Sequence, residues 1–181
     1  SIKGFFNTVP SSIPSLFVTF LAFMNAFFYM GVIHQKGYGV KKNPPVAIDF
    51  YKKASELGHG SAMFNLGLIY MKGKGVLQNY NEAFNWFNKS ALKGYVPAIY
   101  KTGVFFLKGI GTKRDLVRAA ENFNQAAQKG DPASAYNLSL MLLNGIGIEQ
   151  NRLEAIKFLK EASNSGFIKA KKTLKKLRNT K

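Results

Sequence analysis

Apolar residues return along this chain in alternating blocks, each at helical spacing and each closed by glycine. In one block Ala83, Phe84, Phe87 and Ala91 fall three or four positions apart on one face until Gly94, a residue that tolerates the left-handed conformation ending a helix. Asn79 precedes this block with Glu82 three residues later, the arrangement of a capping box. The next block places Ala98, Ile99, Thr102, Gly103 and Phe106 on a second stripe, with Pro97 in the first turn, where a missing N–H is harmless, and Gly109 at the end. The same two-helix phrase then repeats. Gly-x-Gly triplets stand at Gly37 and Gly39, Gly73 and Gly75, Gly109 and Gly111, and Gly145 and Gly147, each 36 residues from the last. Ala47, Ala83, Ala119 and Ala155 keep that register, as do Gly58, Gly94, Gly130 and Gly166. A further column, Asn43, Asn79, Asp115 and Asn151, holds residue types that accept hydrogen bonds from the free N–H groups of a helix start. One interval carried by several columns marks a repeat architecture. The pattern predicts helices over residues 44–57, 61–72, 80–93, 97–108, 116–129, 133–144, 152–165 and 168–178.

Small residues mark where these helices approach one another. Ala62, Ala98 and Ala170 form one such column, and Gly31, Gly67, Gly103 and Ser139 a second. A glycine inside a helix costs about 1 kcal/mol relative to alanine, so its recurrence requires a close neighbour. The Gly-x-Gly triplets follow helices rather than strands, which is the wrong context for a phosphate-cradling loop.

The pattern Ala-x-x-x-Leu-Gly-x-x-Tyr-x-x-Gly-x-Gly is carried by Ala62, Leu66, Gly67, Tyr70, Gly73 and Gly75 and followed by Ala83 and the Trp86, Phe87 pair. It resembles the Sel-1-like repeat, a relative of the tetratricopeptide repeat, and the resemblance covers residues 22 to about 170. That resemblance implies an all-α fold, a right-handed α-solenoid of stacked antiparallel helix pairs with 36-residue repeats, acting as a scaffold or adaptor in multiprotein assemblies. Some members of the family serve in endoplasmic-reticulum quality control, and others are bacterial secreted or periplasmic proteins. Cysteine-rich relatives staple each repeat with a disulfide; this chain has no Cys, so it lies outside that subgroup and its cysteine count does not indicate a redox compartment. The expected organisation is an N-terminal apolar segment or degenerate helix over residues 1–21, a repeat solenoid over 22–166, and a basic amphipathic capping helix over 167–181. A single solenoid suits 181 residues of which 46% are hydrophobic.

Charge changes the picture. Lys and Arg total 26 against 9 Asp and Glu, a formal net charge of +17, far beyond what solubility requires, which points to an anionic neighbour. The chain from Phe167 to Lys181 carries Lys169, Lys172, Lys175, Lys176 and Arg178 among its basic residues and no acid, while Phe167, Ala170, Leu174 and Leu177 supply an apolar stripe. Three readings fit: a capping helix with a solvated polar side, a surface for RNA phosphates, or a surface for anionic lipid.

The uncharged run from Ile13 to Ile33 is 21 residues long, about the length that crosses a bilayer. The register favours a buried solenoid helix instead, since Ala26, Gly31, Ile33, Gly37 and Gly39 stand 36 residues before Ala62, Gly67, Ile69, Gly73 and Gly75. Residues 13–21 then take the place of a preceding helix that lacks its small residues, with membrane insertion and a remnant signal segment as alternatives. A signal peptide is disfavoured by a lone Lys3 and no small-x-small cleavage site. A start at Ser1 in a basic, acid-poor chain leans toward a processed mitochondrial protein or a membrane-associated complex.

Residues for catalysis are scarce. His34 and His59 have no i, i+4 partner that would complete a metal site. His34 takes the column of Tyr70 and Phe106 and reads as a packed aromatic substitute, and His59 reads as a loop residue. Glu82, Glu154 and Asp115 are claimed by capping, leaving no carboxylate pair for acid and base roles. The expectation is a non-catalytic protein with no cofactor, no metal and no small-molecule substrate.

Surface remains. The leading helix of each pair is apolar nearly all round: opposite the motif stripe stand Phe64 and Leu68, then Tyr100 and Val104, then Tyr136 and Leu140, beside polar Asn65, Lys101 and Asn137. A helix of that kind is buried or binds something. Leading helices line the concave side of such solenoids, so these nine residues are the candidate site for a protein or peptide partner, with tight curvature burying them as the alternative. Lys169, Lys172, Lys175, Lys176 and Arg178 are the candidate anionic contact.

Overall fold

The computed structural model describes residues 15–179, and among these it contains nine α-helices and no strand. They are α1 (Ser15–Lys36), α2 (Pro44–Glu56), α3 (Gly60–Lys72), α4 (Tyr80–Leu92), α5 (Val96–Lys108), α6 (Leu116–Gln128), α7 (Pro132–Asn144), α8 (Arg152–Asn164) and α9 (Ile168–Asn179). The eight helices expected after residue 43 are all present, with bounds within a residue of the sequence reading, because local caps set both ends. Side-chain oxygens of Asn43, Asn79, Asp115 and Asn151 accept hydrogen bonds from the backbone N–H three residues on, at 3.3, 3.0, 3.0 and 3.0 Å. The first glycine of each triplet closes the preceding helix in the left-handed region, with φ of 65°, 66° and 65° at Gly73, Gly109 and Gly145. Past each of these turns, Gln78, Arg114 and Gln150 reach back seven residues to donate to the carbonyls of Met71, Leu107 and Leu143, satisfying an orphan acceptor of the helix just ended.

Consecutive helices make the main contacts, so the architecture is the quasi-one-dimensional stack of a helical solenoid. In the first three pairs the leading helix offers a glycine to a ring of the trailing helix. A Cβ added at Gly31, Gly67 or Gly103 would come within 2.6, 2.6 or 3.0 Å of the ring carbons of Tyr51, Phe87 or Phe123, all three of which are fully buried. In the fourth cycle Ser139 takes the glycine's column and Leu159 the ring's, and both are buried. The alanine columns are sealed too: Ala47, Ala83, Ala119 and Ala155, like Ala62, Ala98 and Ala170, expose nothing.

The second glycine of each triplet serves the joint between repeats. Gly75 lies so near Pro44 that a Cβ would meet it at 2.6 Å, and in the same way Gly111 abuts the backbone of Tyr80 and Gly147 that of Leu116. At Gly39 an added Cβ would meet nothing within 4 Å among the described residues.

The N-terminal part departs from expectation. α1 runs unbroken through residues 21 and 22, because the column that holds Gly58, Gly94, Gly130 and Gly166 at positive φ has Ala22 in its first place, and no left-handed residue turns the chain. Among the described residues no separate helix covers α1, and Ala26 is exposed where its counterparts are sealed. The apolar run is therefore not a buried helix throughout. From Phe27 onward it packs on α2, through Phe27 and Phe50, Phe28 and Tyr51, and His34 stacked on Phe50 at 5.6 Å, while Phe17, Phe20 and Phe23 stand exposed. The span Phe17–Lys36, with a mean hydropathy of 1.6, is long and apolar enough to cross a membrane by length and composition. Residues 15–26, the part of α1 ahead of Phe27, rise about 18 Å. Ile13 and Pro14 lie outside the described residues.

The two kinds of glycine separate on mutation. Gly94 has φ of 78° with open space around it, so Gly94→Ala bears the backbone cost alone, about 1 kcal/mol, or a melting temperature about 2–4 °C lower. Gly147→Ala adds a collision with the immovable backbone of Leu116 and loses at least about 3 kcal/mol. Equal shifts in the two thermal melts would refute the close-approach role of the second glycine.

Candidate functional site

The helices sort by charge. The leading helices α1, α3, α5, α7 and α9 contain no Asp or Glu at all, whereas Asp49, Glu56, Glu82, Glu121, Glu154 and Glu161 all lie on the trailing helices α2, α4, α6 and α8. Basic residues on the trailing helices, among them Lys53, Lys89, Arg118 and Lys157, roughly balance those acids. The excess positive charge of the helical stack therefore belongs to the leading helices, at Lys36, Lys72, Lys101, Lys108 and the cluster on α9.

All nine residues expected to meet a partner are half-buried, neither sealed nor free. The aromatic rings among them share in the packing: Phe64 lies 5.4 Å from Phe87 and 5.3 Å from Tyr95, Tyr100 lies 6.0 Å from Phe123, and Tyr136 lies 5.3 Å from Phe167, centroid to centroid. Leu68 and Val104 also pack against the core. Asn65, Lys101, Asn137 and Leu140 keep part of their side chains open, and the Lys101 Nζ stands 5.9 Å from the centre of the Tyr100 ring.

Two of the nine, Asn65 and Leu68, line a cavity of about 640 Å³ between α1 and α3. Val32, Ala47 and Ile69 add apolar wall, and Gln35, Lys36, Lys42, Lys72 and Lys74 add polar groups. Sequence reasoning missed these five. Lys36 and Lys72 share one column of the repeat, which was a visible signal; that Lys42 and Lys74 come from two successive turns to the same opening was not. Gln35 and Asn65 are held from behind by the buried Tyr51, whose hydroxyl donates to Gln35 Oε1 at 2.9 Å and also hydrogen-bonds the Asn65 side chain. Burial pushes the Tyr51 pKa up to about 12, so the hydroxyl stays protonated at any physiological pH.

On α9 the apolar stripe is spent on the solenoid: Ala170 is sealed, and Phe167, Leu174 and Leu177 pack against the core of α6 to α8. Lys169, Lys172, Lys175, Lys176 and Arg178 are left exposed on the opposite side. This gives a cationic surface at the helix exterior, with the exposed Ile168 on the same helix.

His59 has a role that the sequence reading missed. It is the N-cap of α3, its Nδ1 accepting from the Ala62 N–H at 3.2 Å, and its ring stacks on Phe28 at 4.3 Å. The corresponding Asp131 caps α7 in the same way, accepting from Ser134 at 2.7 Å. Histidine is not among the usual capping residues, so the column Tyr95, Asp131, His59 hid the role. Among the described residues no three His, Asp or Glu side chains converge as metal ligands would.

The glycine, alanine and cap columns together match a family profile, the Sel1 repeat, over residues 26–59, 60–95, 96–131 and 132–167. The chain belongs to the Sel1 repeat family. Among solved structures it is similar to a protective antigen of uropathogenic Escherichia coli displaying an SLR fold, with a TM-score of 0.78 and 29% identity over 81% of this chain and 32% of that one. It is also similar to a Sel1 repeat protein from Oxalobacter formigenes, with a TM-score of 0.71 and 32% identity over 83% of this chain and 60% of that one. A third likeness, to Helicobacter pylori cysteine rich protein B, has a TM-score of 0.56 and 25% identity over 74% of this chain and 96% of that one. The chain thus spans about a third and three-fifths of the first two proteins. No curated protein matches it. Sel1 repeat proteins are in general protein-interaction scaffolds.

Within this Sel1 solenoid the His59 cap makes stability depend on pH. Burial holds the imidazole below its ordinary pKa of 6.5, so the fold favours the neutral ring whose Nδ1 lone pair serves Ala62. As pH falls through 6.5 the unfolded chain takes up this proton first, and stability is lost from there downward. The melting temperature is expected to drop between about pH 7 and pH 5. In His59→Asn, which keeps a cap acceptor that does not titrate, that component of the drop disappears; an unchanged pH slope would count against the cap.

Proposed function

We propose that this Sel1 repeat chain is a non-catalytic scaffold that binds a protein or peptide segment along the face of its leading helices. The observation that carries the reading is the sorting of the solenoid's two helix sets. Half-open apolar, aromatic and amide side chains with an excess of lysine lie on the leading set, and the carboxylates of the helices lie on the trailing set. Apolar rows hold a partner's side chains, and the amides of Asn65 and Asn137 and the Lys101 ammonium hold its carbonyls. The general role of the family supports the same reading. Rings such as Tyr100 and Tyr136 are poor probes of it, since they also pack on Phe123 and Phe167 and their loss weakens the fold. A photo-crosslinking residue placed at Lys101 or Leu140 should give a discrete heavier product in an extract of the producing cells, and one placed at the exposed Lys89 of α4 should not. Products of equal yield at all three positions would remove the face-specific reading.

The exposed lysines of α9 support a second reading, a basic subunit of a ribonucleoprotein or membrane-associated complex that contacts RNA or anionic lipid. Lys172→Glu combined with Lys175→Glu should reduce retention on RNA or on phosphatidylserine vesicles at low salt and leave the melting temperature unchanged. Unchanged retention on both would leave α9 as a solvated end cap.

A further inference from the structure

We propose that the cavity between α1 and α3 is the seat of an acidic peptide segment, its carboxylates facing Lys36, Lys42, Lys72 and Lys74. The inference rests on the leading helices being the binding face and adds the chemistry of the partner. The cavity has a cationic rim that the protein itself leaves uncompensated: among the described residues none of the four ammonium groups is in an ion pair, and neither α1 nor α3 contains a carboxylate. The general surplus of charge does not explain this, because the trailing helices are close to balanced. Such a rim raises the local concentration of anionic groups and rejects cationic ones.

Three further features select a peptide among anions. The volume, about 640 Å³, exceeds what a small inorganic anion fills. Val32, Ala47, Leu68 and Ile69 offer a wall for aliphatic side chains between the lysines. The amides are set for a main chain: Tyr51 occupies Gln35 Oε1, which fixes the amide's orientation and leaves its Nε2 group to donate to a carbonyl. Because the Tyr51 hydroxyl keeps its proton up to a pH of about 12, that orientation does not change over the physiological range. Single-stranded nucleic acid wants aromatic platforms for its bases, and among the described residues no aromatic side chain lines this cavity.

The test measures fluorescence anisotropy of a short labelled peptide of Glu, Asp and Leu, amidated at its C-terminus, against its Gln and Asn counterpart. The full chain should bind the acidic peptide about tenfold or more tightly than the neutral one, with affinity falling as salt rises. Lys36→Ala combined with Lys72→Ala should lose about tenfold in affinity for the acidic peptide. Lys157→Ala combined with Lys160→Ala, which removes equal charge from exposed positions of α8, should lose almost none. Thermal melts of both variants serve as the folding control, since all four lysines are exposed. Equal affinity for the two peptides, equal loss in the two variants, or tighter binding of a single-stranded RNA that displaces the peptide would each overturn the proposal. Equal peptide affinities together with crosslinks confined to Lys101 and Leu140 would sink the acidic seat alone; absence of those crosslinks would sink the scaffold reading beneath it.

Discussion

A ring resting on bare helix backbone sets the geometry of this solenoid. Tyr51, Phe87 and Phe123 each lie where a side chain would otherwise project from Gly31, Gly67 and Gly103, so the axes of a pair are drawn together at one fixed height. Helix faces made of ordinary side chains admit several registers. A large ring over a gap of one residue admits one, and the 36-residue interval then follows from the need to present the next ring to the next gap. The sealed alanine columns are a result of that close approach rather than its cause, since once the axes are close only a methyl group fits. The fourth pair has Ser139 and Leu159 in the same two columns, both fully buried.

Most of this was legible in the sequence for a local reason. Caps and left-handed glycines act within four residues, so Asn79, Glu82 and Gly94 announce α4 without reference to any other part of the chain. The long α1 was legible too, in the alanine that replaces glycine at position 22, but the 36-residue register pulled the reading toward a turn that the chain does not make. The site was legible only in part. Asn65 and Leu68 stood out because their helix is apolar where water should be met, whereas Gln35, Lys42 and Lys74 became members of one opening only when two turns and two helices were stacked. Periodicity tells which column a residue occupies; it does not tell what the next column places opposite. His59 was missed because its chemistry as a cap depends on the unprotonated Nδ1 rather than on residue type.

Separation of charge between the two helix sets has an energetic side. The acids of the trailing helices are nearly matched in number by lysines and arginines on the same helices, so those helices carry little net charge. The leading helices hold lysines with no acid on the same element, a like-charge arrangement that the folded chain tolerates without gaining from it. Natural sequences that keep such an arrangement at some cost in stability do so where it serves a contact made outside the chain.

The joints between repeats have a mechanical consequence. Gly111 on the backbone of Tyr80 and Gly147 on that of Leu116 are contacts of one main chain on another, with no side chain between them to yield or re-pack. Each sets how closely successive pairs can approach. Bringing two pairs nearer would press one main chain into another, so the spacing between repeats is a hard limit rather than a packing that can be rearranged.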